Sequence, residues 1–317
     1  MTGQTKGLLL ALGAFALYAA HDVLIKLLGG AYSPFQVVFF SVLFSFPLST
    51  VMLMRDSEPG TLRPVHPWWM ALRTAAIVCA SGAAFYAFSV LPLADTYALL
   101  FAMPLMVTLL AIPILGEQVR LRRGLAICAG LIGVVIVLRP GQSDLNMGHA
   151  AALLAAFCSA LASIVVRKVG RAERAISMML YPAMATFLVM GAAMPFVYRP
   201  MAATDMGLNA LIAVLAFAAM LLMIDAYRRA EAALVAPMQY SQILWALLYG
   251  WLLFKDWPDA VTLLGVALII ASGLYIVFRE AKGGASAHTP VLRTRSRIGT
   301  PAAPRISAML RHLRLKR

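Results

Sequence analysis

The chain has 317 residues, 62% of them apolar and 13% charged, and its 27 Lys and Arg against 13 Asp and Glu give a formal net charge of +14. Soluble domains carry about 45–50% apolar and about 25% charged residues, so this composition excludes an ordinary soluble enzyme and makes lipid the solvent for most of the chain. The basic excess, with no interleaved aromatic residues, points to an anionic membrane surface rather than to nucleic acid.

A spanning helix needs about 20 mostly apolar residues to cross about 30 Å of hydrocarbon. Ten runs meet that length, near residues 7–29, 34–54, 68–91, 94–115, 122–138, 148–168, 175–197, 207–227, 232–254 and 260–278. The first is too long for the core of a cleaved signal peptide and a second follows almost at once, so it is expected to remain as a helix. Cys79, Cys128 and Cys158 all lie inside apolar runs with no CxxC spacing, which indicates neither a metal site nor a disulfide framework.

Basic loops stay cytoplasmic. With the N-terminus inside, the four inward loops hold eleven Lys and Arg and the five outward loops three, namely Arg139, Arg199 and Lys255. The expected fold is an all-α integral membrane protein with ten transmembrane helices and both termini cytoplasmic.

The halves overlay on each other. An offset of 141 residues pairs Gly7 with Gly148, Ala11 with Ala152, Ala14 with Ala155, Lys26 with Arg167 and Gly29 with Gly170. An offset of 139 pairs Ala87 with Ala226, Phe88 with Tyr227, Ala94 with Ala233 and Glu117 with Asp256. Five spans per copy is an odd number, so the second copy enters from the opposite side, the inverted-repeat layout of many secondary transporters. The expected units are residues 1–143, 144–280 and a basic tail at 281–317, divided at the polar stretch from Arg139 to Asn146.

From residue 94 the chain reads ADTYALLFAMPLMVTLLAIPILGEQVRLRRGLAICAGLIGVVIVLRPG, with Pro104 in mid-span, Gly116 and Glu117 closing it, and Gly130 and Gly133 in the next. The second copy carries Pro237, Gln239, Tyr240, Lys255, Asp256, Gly265 and Gly273, with Ile243 where the first has Pro104. Over about residues 7–280 the sequence resembles the drug/metabolite transporter superfamily, specifically the ten-span EamA type. That resemblance implies transport of a small metabolite across a bacterial inner membrane. The His21, Asp22 and Lys26 pattern is similar to the branch containing S-adenosylmethionine and riboflavin uptake proteins. The sequence departs from that branch at Phe39-Phe40-Ser41, where a basic residue is expected.

Ionisable groups at membrane depth cost about 2.5–3.5 kcal/mol on insertion scales, which marks each as a functional candidate. His21 and Asp22 lie roughly 10 Å below the outer boundary at helical rise. In one reading Asp22 binds a cationic substrate group or a coupling proton, with His21 as a second titratable group; in the other they form a buried pair satisfied by Lys26 one turn on. Lys26 itself is expected to snorkel. Tyr86, Tyr97, Gln239, Tyr240, Gln242 and Trp245 are further substrate-binding candidates, weighed evenly against helix–helix hydrogen bonding. Arg73, Arg167 and Asp225 are expected to reach the headgroups, Asp95 to favour a helix N-terminus, and Glu117 and Asp256 to act as matching structural locks.

The tail from Arg279 onward holds ten Lys and Arg against one acid, with Ile306, Met309, Leu310 and Leu313 at helical spacing. An amphipathic helix at 305–315 on the anionic inner leaflet fits this pattern, as does a flexible basic tail. The chain lacks GxxxxGK followed by Ser or Thr, so a secondary carrier of a small organic molecule, with S-adenosylmethionine, riboflavin or an amino acid as substrate, is favoured over an ATP-driven pump. The alternatives are a membrane-embedded enzyme, for which HExxH, GxSxG and GxGD are all missing, and a non-cycling channel or scaffold. No cofactor, metal or nucleic acid is expected.

Overall fold

The computed structural model describes residues 3–54, 62–116, 121–139, 145–170, 172–230 and 232–282, and among these every regular element is helical. In chain order they are α1 (Gly3–Gly29), α2 (Pro34–Met54), α3 (Pro67–Val90), α4 (Leu93–Leu100), α5 (Met103–Leu115), α6 (Leu121–Leu138), α7 (Met147–Val169), α8 (Ala175–Val197), α9 (Ala203–Arg229), α10 (Ala232–Val235), a 3-10 turn (Ala236–Tyr240), α11 (Ser241–Tyr249), a π turn (Gly250–Phe254) and α12 (Ala260–Lys282). Glu117 and the tail helix expected at 305–315 lie outside the described residues.

Local chemistry sets several of the starts. Proline, which has no amide hydrogen to lose, opens α2 and α3. Asn146 opens α7 by accepting from Gly148 N at 2.9 Å, while His149 Nδ1 accepts from Asn146 N at 3.2 Å. Among the described residues six helical segments are long and apolar enough to cross a membrane, at 4–29, 67–90, 93–115, 147–169, 177–197 and 203–227, and shorter apolar helices run over 34–48, 124–138 and 260–276. Leu188, Leu244 and Leu264 are each about 60% exposed, the apolar outside of a bundle made for lipid.

Two of the expected single helices are broken. In the fourth run Pro104 has no N–H for the Leu100 carbonyl, so the helix stops at Leu100 and resumes at Met103, with Ala102 N turning back to Leu99 O at 3.1 Å. In the ninth, Pro237 falls in the 3-10 turn, and the π turn ends at Lys255 in the left-handed region at φ 57°. The offset of 139 carries Phe101, at the first break, onto Tyr240, at the second. Their rings meet at 5.3 Å. The two interruptions therefore touch at equivalent residues.

Packing follows the same rule of exchange. The main helix pairs are α1 with α9, α3 with α7, α6 with α12 and α2 with α8, each joining one half of the chain to the other. A Cβ on Gly7 would lie 2.7 Å from Ala230 Cβ, and one on Gly148 would lie 2.9 Å from Leu91 Cγ. The offsets of 141 and 139 carry the first of these contacts onto the second. Between α6 and α12, Gly133 packs on the Gly265 carbonyl while Ser272 donates to Ala126 O, two contacts that the 139 offset interchanges. They run antiparallel: 126 meets 272 and 133 meets 265. Small residues at these crossings let backbones approach closely enough for dispersion to hold the helices in lipid.

Candidate functional site

The centre of the first half is a chain of polar groups inside an aromatic shell. α1 presents Asp22, 2% exposed, and His21, 4% exposed. His21 Nδ1 lies 2.7 Å from Asp22 Oδ1. Tyr97, in the short α4 just before the break, donates its hydroxyl to Asp22 Oδ2. Gln242, in the first turn of α11 just after the second break, donates from Nε2 to the Tyr97 hydroxyl at 3.5 Å. Four residues from three segments thus form one line ending on a single carboxylate.

The shell has a consistent geometry. Phe85 meets His21 edge-on at 6.2 Å, Phe88 meets Tyr97 edge-on at 5.3 Å, and Phe101 stacks on Tyr97 at 6.0 Å before reaching Tyr240. A carboxylate buried this far from water loses several kcal/mol of hydration. Hydrogen bonds to a charged group recover about 1.5–3 kcal/mol each, so Tyr97 and His21 are placed to stabilise a carboxylate at Asp22. Such an arrangement can bind a cation, or take up a proton when its donors turn away.

Among the other expected site residues, Tyr240 is buried with its hydroxyl against Gly273, where a Cβ would lie 1.7 Å from Oη. Gln239 is half-buried in the 3-10 turn. Trp245 packs with Phe15, Tyr18 and Ala219 and stacks on Tyr249 at 6.1 Å. Tyr86 lies on the exposed side of α3, away from the polar line.

Two sequence expectations are corrected. Lys26 neither neutralises Asp22 nor snorkels free: its Nζ donates to Asp256 at 2.6 Å and sits 4.6 Å from the Phe254 ring centroid. The left-handed turn at Lys255 aims Asp256 back at α1. Arg73 does not extend freely from α3; its side chain is fully buried against α8. Asp225 pairs along its own helix with Arg229 at 2.9 Å, both side chains partly exposed near the end of α9.

The loops gather at two ends. At one, Tyr32 donates to Asp205 at 2.6 Å, Gln36 exchanges hydrogen bonds with the Arg199 backbone, and Arg139 pairs with Asp259. Hydrogen bonds from Arg139 and from the Thr262 hydroxyl and amide hold the Asp259 carboxyl well below the usual carboxylate range. At the other, Glu173 accepts from the amides of Val65 and His66 at 3.1 and 2.6 Å, Ser177 donates to Leu62 O, and Lys168 donates to the Ile114 carbonyl that ends α5. Sequence reasoning missed Glu173 and the Phe85, Phe88 and Phe101 shell; the 139 offset pairing Phe101 with Tyr240 was the one available signal for the latter.

The model of the EamA-like transporter family matches residues 5–139 and again 146–278. The chain belongs to the EamA-like transporter family. This EamA-like protein is 28% identical to an S-adenosylmethionine uptake transporter of Rickettsia bellii over 83% of its own length and 90% of the relative's. It is 25% identical to a pseudopaline exporter of Pseudomonas aeruginosa, covering 84% of this chain and 94% of that one. A crystal structure with 16% sequence identity superposes with a TM-score of 0.57, covering 84% of the EamA-like chain and 96% of its own. The protein is a metabolite transporter built on two copies of the family unit.

Proposed function

We propose that the chain is a secondary carrier of ten spans, in two inverted repeats at 1–143 and 144–280, lying in a bacterial inner membrane with both termini cytoplasmic. It moves a small cationic metabolite by alternating access, and Asp22 holds the cationic group or a coupling proton. Support for the inverted layout comes from the antiparallel α6–α12 crossing and from helix pairs that interchange when the halves are exchanged. Support for the crossing count comes from the two sets of loop contacts at opposite ends.

The observation that carries the substrate class is the buried carboxylate of Asp22 beside two helix breaks and an aromatic shell. Interrupted helices near the midplane are where transporters of this layout bind their cargo. A sulfonium or ammonium matches the carboxylate and a flat heterocycle matches the rings. S-adenosylmethionine has both, and a relative bears its name. Riboflavin has the flat heterocycle without a cationic group, and an aliphatic amino acid has the ammonium without a flat heterocycle.

The test is uptake of labelled S-adenosylmethionine into proteoliposomes, with riboflavin and an amino-acid mixture as competitors. Saturable uptake that Asp22→Asn abolishes without lowering the yield of inserted protein is expected. Normal transport by Asp22→Asn, or uptake displaced by riboflavin alone, overturns the assignment.

A further inference from the structure

Arg73 is the largest fully buried side chain among the described residues, and one of its bonds has a local cause. In an unbroken helix the Met178 carbonyl accepts the N–H of residue 182, but that residue is Pro182, within α8. Arg73 Nη1 donates to this freed carbonyl. The guanidinium therefore ties α3 to α8 where the second has a hole in its hydrogen-bond ladder.

That bond uses one nitrogen of three. Nε and Nη2 are both buried without a hydrogen-bond partner, and no ion pair to Arg73 occurs among the described residues. Those two nitrogens form one forked edge of the guanidinium, whose spacing matches two oxygens of a carboxylate or phosphate. The Thr74 hydroxyl, next along α3, is likewise buried without a partner. Met70, Val165, Val169 and Met178 make the neighbouring cluster apolar, with Trp69 packed against it and Lys168 Nζ 4.3 Å from the Trp69 ring centroid. A lone cation in such surroundings carries a desolvation cost that a joining anion offsets.

We propose that Arg73 is an oxyanion-binding site at the end of the bundle where α3 and α8 begin and α7 ends, taking two oxygens of a carboxylate or phosphate on Nε and Nη2. A small soluble anion and a lipid headgroup supply the same chemistry. In this conformation the forked edge is closed off, so an anion is admitted when the start of α8 separates from α3, and binding favours that arrangement. The inference is independent of the substrate read from Asp22.

The full chain purified in maltoside micelles, which carry no oxyanion, is titrated with inorganic phosphate, succinate and phosphatidylglycerol, with chloride as the ionic-strength control. Binding and Tm are measured for the wild type, Arg73→Gln and Arg73→Lys. At least one of the three probes is expected to bind the wild type saturably, to raise its Tm, and to bind Arg73→Lys at least tenfold more weakly. Lysine keeps the charge and a donor for Met178 but has no fork, so it carries the comparison if Arg73→Gln fails to fold. Response to phosphate or succinate identifies a soluble ligand; response to phosphatidylglycerol alone identifies a headgroup. No saturable binding of any probe by the wild type, or equal affinity in Arg73→Lys, overturns the proposal.

Discussion

α1 and α7 are equivalent helices of the two halves, and only α1 holds a buried carboxylate. Each opens on a glycine packed against an antiparallel partner from the other half, Gly7 on α9 and Gly148 on α3. At the offset of 141, Asp22 becomes Ser163 and His21 becomes Ala162; at 139, Tyr97 becomes Ala236. The packing recurs in both halves because it needs only small residues at fixed spacing. The carboxylate stands in one copy only, where Tyr97 of α4 donates to it and Gln242 of α11 donates in turn to Tyr97.

The largest test of this asymmetry is Asp22→Asn, expected to reduce transport in proteoliposomes more than 100-fold while leaving the Tm within a few degrees. Ser163→Asp puts a carboxylate on the other copy, where the equivalent of Tyr97 is Ala236, and is expected to lower the denaturation free energy by about 2.5–3.5 kcal/mol; a stable, fully active variant would show the two positions to be interchangeable. Tyr97→Phe removes one charge-assisted hydrogen bond, worth about 1.5–3 kcal/mol, and should weaken substrate affinity in equilibrium binding at least tenfold. Gly7→Val and Gly148→Val should cost similar amounts, about 1–3 kcal/mol of overpacking, because they fill equivalent contacts; thermal unfolding of the pair checks that the scaffold is symmetric where the site is not.

The smallest effect concerns Arg139 and Asp259, both near the protein surface. Asp259 has its folded pKa depressed, so its contribution is fully present above the unfolded carboxylate value of about 3.9 and is lost as pH falls through the lower folded value. Arg139→Gln should therefore lower Tm by the same small amount at pH 7 and pH 5, with the gap to wild type closing below pH 4. A gap that closes between pH 7 and pH 5 would assign the effect to another group.

Much of the scaffold was legible in the sequence because its signals are local or periodic. Apolar runs gave the helices, and the offsets read from Gly7, Gly148 and Ala87 gave the helix equivalences seen in the contacts. His21 and Asp22 stood out by depth alone. What the sequence did not carry was register between helices distant along the chain. Lys26 and Asp256 are 230 residues apart, and nothing local to either says they meet. Arg73 sits one turn from a helix end, which reads as a headgroup contact until α8 places a bare carbonyl beside it. The π turn at 250–254 has no sequence signature comparable to Pro104 or Pro237, yet it helps position Asp256.

The helix pairing also bears on synthesis. α1 waits for α9, α3 for α7 and α6 for α12, so no part of the first half reaches its main partner until the ribosome has made the second. During that interval Gly7 and Gly133 lack the backbones of Ala226 and Gly265 that they pack against in the finished fold. The close of α6 on α12 comes last of all, because α12 ends the described chain. A nascent protein truncated before residue 260 is therefore expected to be inserted but unlocked, and to be a preferred substrate of membrane proteases.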